Sequence, residues 1–243
     1  MKKSDLLIIL LGSTLFLSVQ SAFGESLYYG AGGSYAWQRF NTDDLNRQWS
    51  PFGFDVKFSD APGTFIKMGY DFDEKLAAEV EVGYLYDFNY DQKRFVWGAP
   101  WDPSAVSPGP FYKVPIRNKG DADVATLTAA GKYGIPVTED AKPYIIAGGG
   151  LMYWHLEVSD TTSGYYLSNS ETNLGGCAKV GAGIEFKAWQ DYSIIAEGSY
   201  VAGFGDVDKV RFIVLEIGLI YRPPASSAAT LPIKKIEPEA KRY

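Results

Sequence analysis

Residues 210–222, VRFIVLEIGLIYR, alternate without a break. Ile213, Leu215, Ile217, Leu219 and Tyr221 share one side; Phe212, Val214, Glu216, Gly218 and Ile220 share the other. A period of two belongs to a strand, because successive side chains leave opposite faces of the pleat. One side is uniformly large and apolar, while the other mixes bulk, a glycine and a carboxylate. The two faces of such a strand meet different surroundings, and the fold follows from asking which face meets lipid.

Seven further stretches carry the same signal: residues 27–38, 63–72, 76–90, 122–135, 143–158, 173–188 and 192–204. In the third, Ala78, Val80, Val82, Tyr84, Tyr86 and Phe88 oppose Glu79, Glu81, Gly83 and Leu85. The fifth is apolar on both faces, so alternation alone leaves its register open. The connections alternate in length. Residues 73–75, 136–142 and 189–191 are short and rich in turn formers. Residues 39–62, 91–121 and 159–172 are long, and 205–209 is short. Eight antiparallel strands close into a barrel without edges. The pattern therefore predicts an all-β chain, an eight-stranded antiparallel transmembrane up-and-down β-barrel. In such barrels the short turns are periplasmic and the long loops external, which puts both barrel ends on the periplasmic side.

Charge density argues against a soluble barrel with an apolar interior. The polar face holds Lys67, Glu79, Glu81, Lys132, Lys179, Glu185, Glu197 and Glu216, separated mostly by small residues. A solvent-facing exterior would be about 25–35% charged. Sparse charges among small residues suit a narrow lumen filled by side chains, and the opposite face carries no charge in mid-strand, as lipid requires. Aromatic residues gather at both strand ends, where girdles form at the two interfaces. Tyr29, Phe72, Tyr133, Tyr144, Trp189 and Tyr221 fall near the turns. Trp37, Tyr86, Phe88, Trp154 and Phe204 fall near the loops.

The ends of the chain read differently. Lys2 and Lys3 precede an apolar run over residues 6–17, and Ala22-Phe23-Gly24 fits a small-x-small cleavage site, so residues 1–24 read as a secretory signal peptide. Without its two lysines and one aspartate, the 23 basic and 29 acidic residues leave a net charge of about −7, which argues against nucleic-acid binding. Residues 25–222 form the barrel. Residues 223–243 open with two prolines and read as an extended periplasmic tail with no core of its own.

Three stretches, VATLTAAGKYGIPV (residues 124–137), KPYIIAGGGLMY (142–153) and the end GLIYRP (218–223), resemble outer-membrane β-barrels of the OmpA transmembrane-domain type, a porin-like group of small outer-membrane proteins. The resemblance covers residues 27–222. It implies location in the outer membrane of a Gram-negative bacterium, contact with outer-membrane lipid and lipopolysaccharide, and insertion by the barrel-assembly machinery, with Gly218 and Tyr221 part of the last-strand signal. The family has no shared catalytic motif, and only 21 residues follow the last strand, too few for a peptidoglycan-binding domain.

The inward charges read as a plug of paired side chains rather than an ion path, and neutralising Glu216 is expected to lower resistance to unfolding while leaving conductance near background. The long loops are the recognition candidates. Residues 95–112 carry Trp97, Trp101, Phe111 and Tyr112, and Trp49 stands in the first loop. Exposed aromatics anchor protein partners or stack on sugars, so an extracellular glycan or protein ligand is the expected partner. No enzyme is expected. His155, Glu157 and Ser159 share a face, but at alternate positions in one strand they spread over about 13 Å, and a catalytic Ser-His pair needs a hydrogen bond oriented by a third group. A single histidine and the single Cys177 argue against a His- or Cys-based metal centre, and no cofactor motif is present. The function expected is therefore structural or surface interaction. A narrow channel is the alternative, and a lipid A-modifying enzyme a further one.

Overall fold

A computed structural model describes residues 27–42, 57–98, 112–138, 140–162 and 165–224, with side chains apart from those of 94–98, 112–116, 160–162 and 165–169. The segments 1–24 and 225–243 discussed above lie outside it. Eight strands pair in sequence order, each antiparallel to the next, and β8 returns to β1 to close the barrel. They are β1 Leu27–Gln38, β2 Ala61–Asp71, β3 Leu76–Gly98, β4 Tyr112–Gly134, β5 Ala141–Thr162, β6 Tyr165–Lys187, β7 Tyr192–Phe204 and β8 Arg211–Tyr221. The seam between β1 and β8 runs from Tyr29 opposite Tyr221 to Gln38 opposite Phe212, so no edge is left there.

The alternation read from sequence is the alternation of burial. In β8 Phe212, Val214, Glu216 and Ile220 are buried, while Ile213, Leu215, Ile217 and Leu219 are exposed. Outward residues form a continuous apolar belt, with Ile66, Val180 and Ile217 each 57% exposed. A belt of this kind facing water would be a large apolar patch of the sort soluble monomers avoid; facing hydrocarbon, it is matched to its surroundings. Phe72, Tyr133, Trp189 and Tyr192 band the turn end. Tyr35, Trp37, Tyr86, Tyr153 and Phe204 band the other end.

Three of the expected girdle residues do not belong there: Tyr144, Phe88 and Trp154 point inward and are buried. Phe88 is turned by a bulge. The β3–β4 register shifts between Leu85 and Phe88, and Asp87 takes a left-handed φ of 71°. The extra residue moves every side chain beyond it to the opposite face. Asp87 suits this position because a short polar side chain tolerates the left-handed region, and its amide donates to Asp123 Oδ1 at 3.1 Å. In β5, apolar on both faces, the inward set proves to be Tyr144, Ile146, Met152, Trp154 and Leu156.

The ends opposite the short turns also differ from expectation. Much of what reads as loop is strand: Phe88–Ala122 through Gly98–Tyr112 stay paired between β3 and β4, and Leu156–Glu171 through Thr162–Tyr165 between β5 and β6. Residues 159–172 thus form a hairpin tip with two residues between its strands. The result is a four-stranded sheet, β3-β4-β5-β6, carried well past the barrel wall. From Phe88 to Arg94, whose partner Ile116 is the last β4 residue paired with β5, it runs roughly 20 Å along β3 at ~3.3 Å per residue, and β3 and β4 alone stay paired from there to Gly98 and Tyr112.

The short turns are built as their sequences suggest. Asp73 Oδ1 accepts the amides of Lys75 at 2.7 Å and Leu76 at 2.8 Å, and those two bonds hold its carboxyl below the usual range. Thr138 Oγ1 accepts the Ala141 amide at 3.0 Å.

Candidate functional site: a three-layered lumen and its open end

Eight strands leave an interior that side chains can fill, and here they fill it in three layers. The middle layer gathers charges from β2, β3, β6, β7 and β8. Lys67 Nζ lies 3.1 Å from Glu79, 2.9 Å from Glu81, 3.6 Å from Glu197 and 3.2 Å from Glu216. Lys179 Nζ lies 2.8 Å from Glu81, 2.9 Å from Glu197 and 3.5 Å from Glu216. Hydroxyls complete the arrangement: Tyr28 donates to Glu79 at 2.9 Å, Tyr144 to Glu197 at 2.9 Å and Ser199 to Glu197 at 2.8 Å. Carboxylate oxygens of Glu81, Glu197 and Glu216 converge within 4.8 Å, close enough to hold a metal ion. The two ammonium groups are the cations between them, and a divalent ion would have to displace those.

Nearer the turns lies a second layer. Glu185 accepts from Lys132 at 3.4 Å and from the Arg222 guanidinium, whose Nε also reaches Asp71 at 3.2 Å. Lys132 sits 3.8 Å above the Tyr144 ring and the Arg222 guanidinium 4.9 Å from the Tyr28 ring. All eight inward charges read from the sequence are therefore in the lumen. Asp71 and Arg222 keep the inward phase of Lys67 and Glu216 but were left out of the charge set, because each stands at a strand terminus, where a charge also suits the membrane interface. Their addition changes the balance. Glu185 has its own two cations, so the middle layer sets four carboxylates against two lysines.

The layer toward the long hairpins is apolar. Leu85, Phe88, Met152, Trp154, Val201, Phe212 and Val214 meet in a cluster joined by Phe58 and Phe40 from the first long connection. Phe40 packs edge-on against Phe58 at 5.4 Å and Trp154 at 5.0 Å. Between this plug and the charges remains a void of about 20 Å³, room for roughly one water.

Glycines make the interior wide enough for its rings. A methyl at Gly218 would stand 2.5 Å from the Ala31 carbonyl oxygen and 2.7 Å from Phe65 Cζ, and one at its neighbour Gly32 2.7 Å from the same ring atom. Gly218 thus has a packing role at the seam. Tyr221 packs 5.0 Å from Tyr192, between ring centroids.

The expected recognition residues are beyond reach. Trp49, Trp101 and Phe111 lie outside the described residues, and Trp97 and Tyr112 are placed only as backbone in β3 and β4. His155 is described: its Nδ1 is 2.9 Å from Thr172 Oγ1 across β5–β6. The cross-strand neighbours of Glu157 are Asp121 and Ser170, and those of Ser159 are Lys119 and Ser168. Along one strand the three are not drawn together.

Among solved structures the chain is similar to Neisserial surface protein A, at 14% identity over 81% of this chain and 96% of that one, with a TM-score of 0.48. It is also similar to Ail, the attachment invasion locus protein of Yersinia pestis, at 17% identity over 82% and 98%, TM-score 0.43. A third is the N-terminal β-barrel domain of Pseudomonas aeruginosa OprF, at 13% over 82% and 98%, TM-score 0.39. No curated protein matches its sequence. Residues 8–222 match the family described as outer membrane protein beta-barrel domain, and the chain belongs to that family of outer-membrane β-barrels.

Proposed function

We propose that this protein is a non-enzymatic surface-interaction barrel: a sealed membrane anchor that holds a rigid sheet outside the cell. In this reading the short turns are periplasmic and the paired hairpins external, following a cleaved signal peptide and insertion by the assembly machinery. The observation that supports it best is the continuation of β3, β4, β5 and β6 as one paired sheet beyond the barrel wall. A paired sheet holds a contact surface in place with little ordering cost on binding, which loose loops would incur. The filled lumen weighs against the channel alternative, because an apolar plug stacked on a charge layer leaves no continuous water path. Partners on this reading are lipopolysaccharide around the barrel and a glycan or protein at the sheet.

The test is binding of the refolded protein to arrays of glycans and matrix proteins, beside a variant with residues 95–112 replaced by a Gly-Ser linker. Binding that the variant loses supports recognition at the tip of the β3–β4 hairpin. Failure of the folded wild type to bind any member of either array would overturn the recognition role and leave a structural one.

A further inference from the structure

A cavity of about 250 Å³ opens at the hairpin end of the barrel, between the start of the first long connection, β5–β6 and the β7–β8 turn. Its floor is Phe40, Phe58 and Trp154, the edge-packed aromatic group that also caps the plug. Its rim is polar: Glu171 and Asn173 from β6, Asp206 from the 3-10 turn Gly205–Val207 and Lys209 beyond it. Glu171 and Asn173 sit two apart in one strand and therefore on one face. The Asn173 amide donates to Glu171 Oε1 at 2.7 Å, which fixes both side chains toward the opening.

We infer that this cavity is a binding site for one neutral sugar ring. An anion would meet two carboxylates, Glu171 and Asp206. A cation would have to compete with the Lys209 ammonium for those carboxylates. A wholly apolar ligand would strip water from four polar side chains without replacing their hydrogen bonds. A pyranose satisfies each element: its C–H face rests on aromatic carbon, and its hydroxyls donate to carboxylates and accept from amide and ammonium groups. Size agrees, since at ~30 Å³ per water the cavity corresponds to roughly eight waters, and drug-sized pockets begin at about 300 Å³. The site is separate from residues 95–112. It deepens the surface-recognition reading and rests on the hairpin end being external. The sugar's source is either a glycan presented from outside or the saccharide of lipopolysaccharide in the same membrane.

The test uses the full mature chain refolded in phospholipid nanodiscs, with glucose, galactose, mannose and N-acetylglucosamine as probes in saturation-transfer NMR. At least one should bind with a dissociation constant on the order of millimolar, the range for a ligand of ~12 heavy atoms. Asn173→Leu and Asp206→Ala change one half-buried and one exposed rim position and should each weaken binding roughly five- to tenfold, as expected for one lost hydrogen bond. Absence of transfer from every sugar would overturn the inference, as would signals unchanged in both variants, or choline or inorganic phosphate bound in preference. Lipopolysaccharide in the nanodisc that suppresses the sugar signal upholds the site and names its own saccharide as occupant; an unaffected signal upholds it with an external glycan. The Gly-Ser variant of residues 95–112 should keep monosaccharide binding. The array experiment can therefore fail while this site stands, and the reverse.

Discussion

Replacing Lys67 with methionine isolates what the charge layer contributes. The Lys67 side chain is fully buried, its Nζ reaches four carboxylates within 3.6 Å, and Lys179 is the other cation in the group. Methionine keeps most of the aliphatic bulk beside Phe65, whose ring centroid is 4.8 Å from Nζ. Packing loss is therefore small and the change is mainly electrostatic. At an effective dielectric of about 20, each contact near 3 Å carries roughly 5 kcal/mol of attraction, set against a desolvation cost already met by the buried ions. Breaking a buried pair by removing one partner typically costs about 3–5 kcal/mol, because the partner's charge stays behind. Here the layer goes from two charges in excess to three, so the upper half of that range is expected.

Glu216→Gln should behave differently. With four carboxylates sharing two lysines, removing one lowers the excess, and the amide oxygen can still accept from an ammonium. Its effect should stay within about 1 kcal/mol. This reverses the expectation drawn from five glutamates and three lysines read as one group. The double variant should recover at least ~1 kcal/mol of the Lys67→Met loss, a coupling expected of residues in contact. The assay is urea unfolding in micelles followed by tryptophan emission, with mobility of unheated samples on gels reporting the folded fraction. A Lys67→Met cost below about 1 kcal/mol, or a double variant less stable than Lys67→Met alone, would refute the reasoning.

Gly218→Ala should destabilise the barrel by about 1–3 kcal/mol, the usual range for overpacking. Adding Phe65→Leu should relieve only part of this, because the Ala31 carbonyl oxygen, 2.5 Å from the new methyl, is backbone; melting temperatures of the pair provide the check. Phe58→Ala should cost about 3 kcal/mol yet open no stable conductance in planar bilayers, since the charge layer still seals the lumen below. The Asp73 carboxyl, held low by two amides, should titrate below the free value of about 3.9 by carbon-13 NMR. Its contribution is complete above that value and is lost as pH falls through the lower folded one. A midpoint at or above 3.9 would remove the turn bonds from the account.

What was legible in the sequence follows from where lipid acts. In the membrane-spanning parts, hydrocarbon on one face and a filled lumen on the other enforce a period of two, so the strands and the inward charges could be read directly. Beyond the wall that constraint ends. Residues 91–94, 117–121, 159–162 and 168–172 are polar on both faces, and they read as loops although they pair continuously. In β5 the ambiguity had the opposite origin: the lumen at that end is apolar too, so Met152 and Trp154 inside look like Leu151 and Tyr153 outside. Phe88 was misplaced because a bulge leaves no mark on alternation until the ladder is seen.

The charge layer is better understood as fixing register than as adding stability, since buried pairs give back in attraction much of what they lose in desolvation. Lys67 on β2 contacts carboxylates on β3, β7 and β8, and Lys179 on β6 contacts the same three strands. Five of the eight strands are therefore held at one height by two side chains. A slip of one residue in β2 would turn Lys67 outward at mid-strand and Ile66 inward. An exposed lysine at the bilayer midplane costs about 2–4 kcal/mol, and the abandoned carboxylates add to it. The apolar plug cannot supply this discrimination, because apolar side chains exchange places across the wall at small cost. Lys67→Met should accordingly broaden the barrel's amide NMR spectrum into more than one set of resonances, while Phe58→Ala lowers stability and leaves a single set.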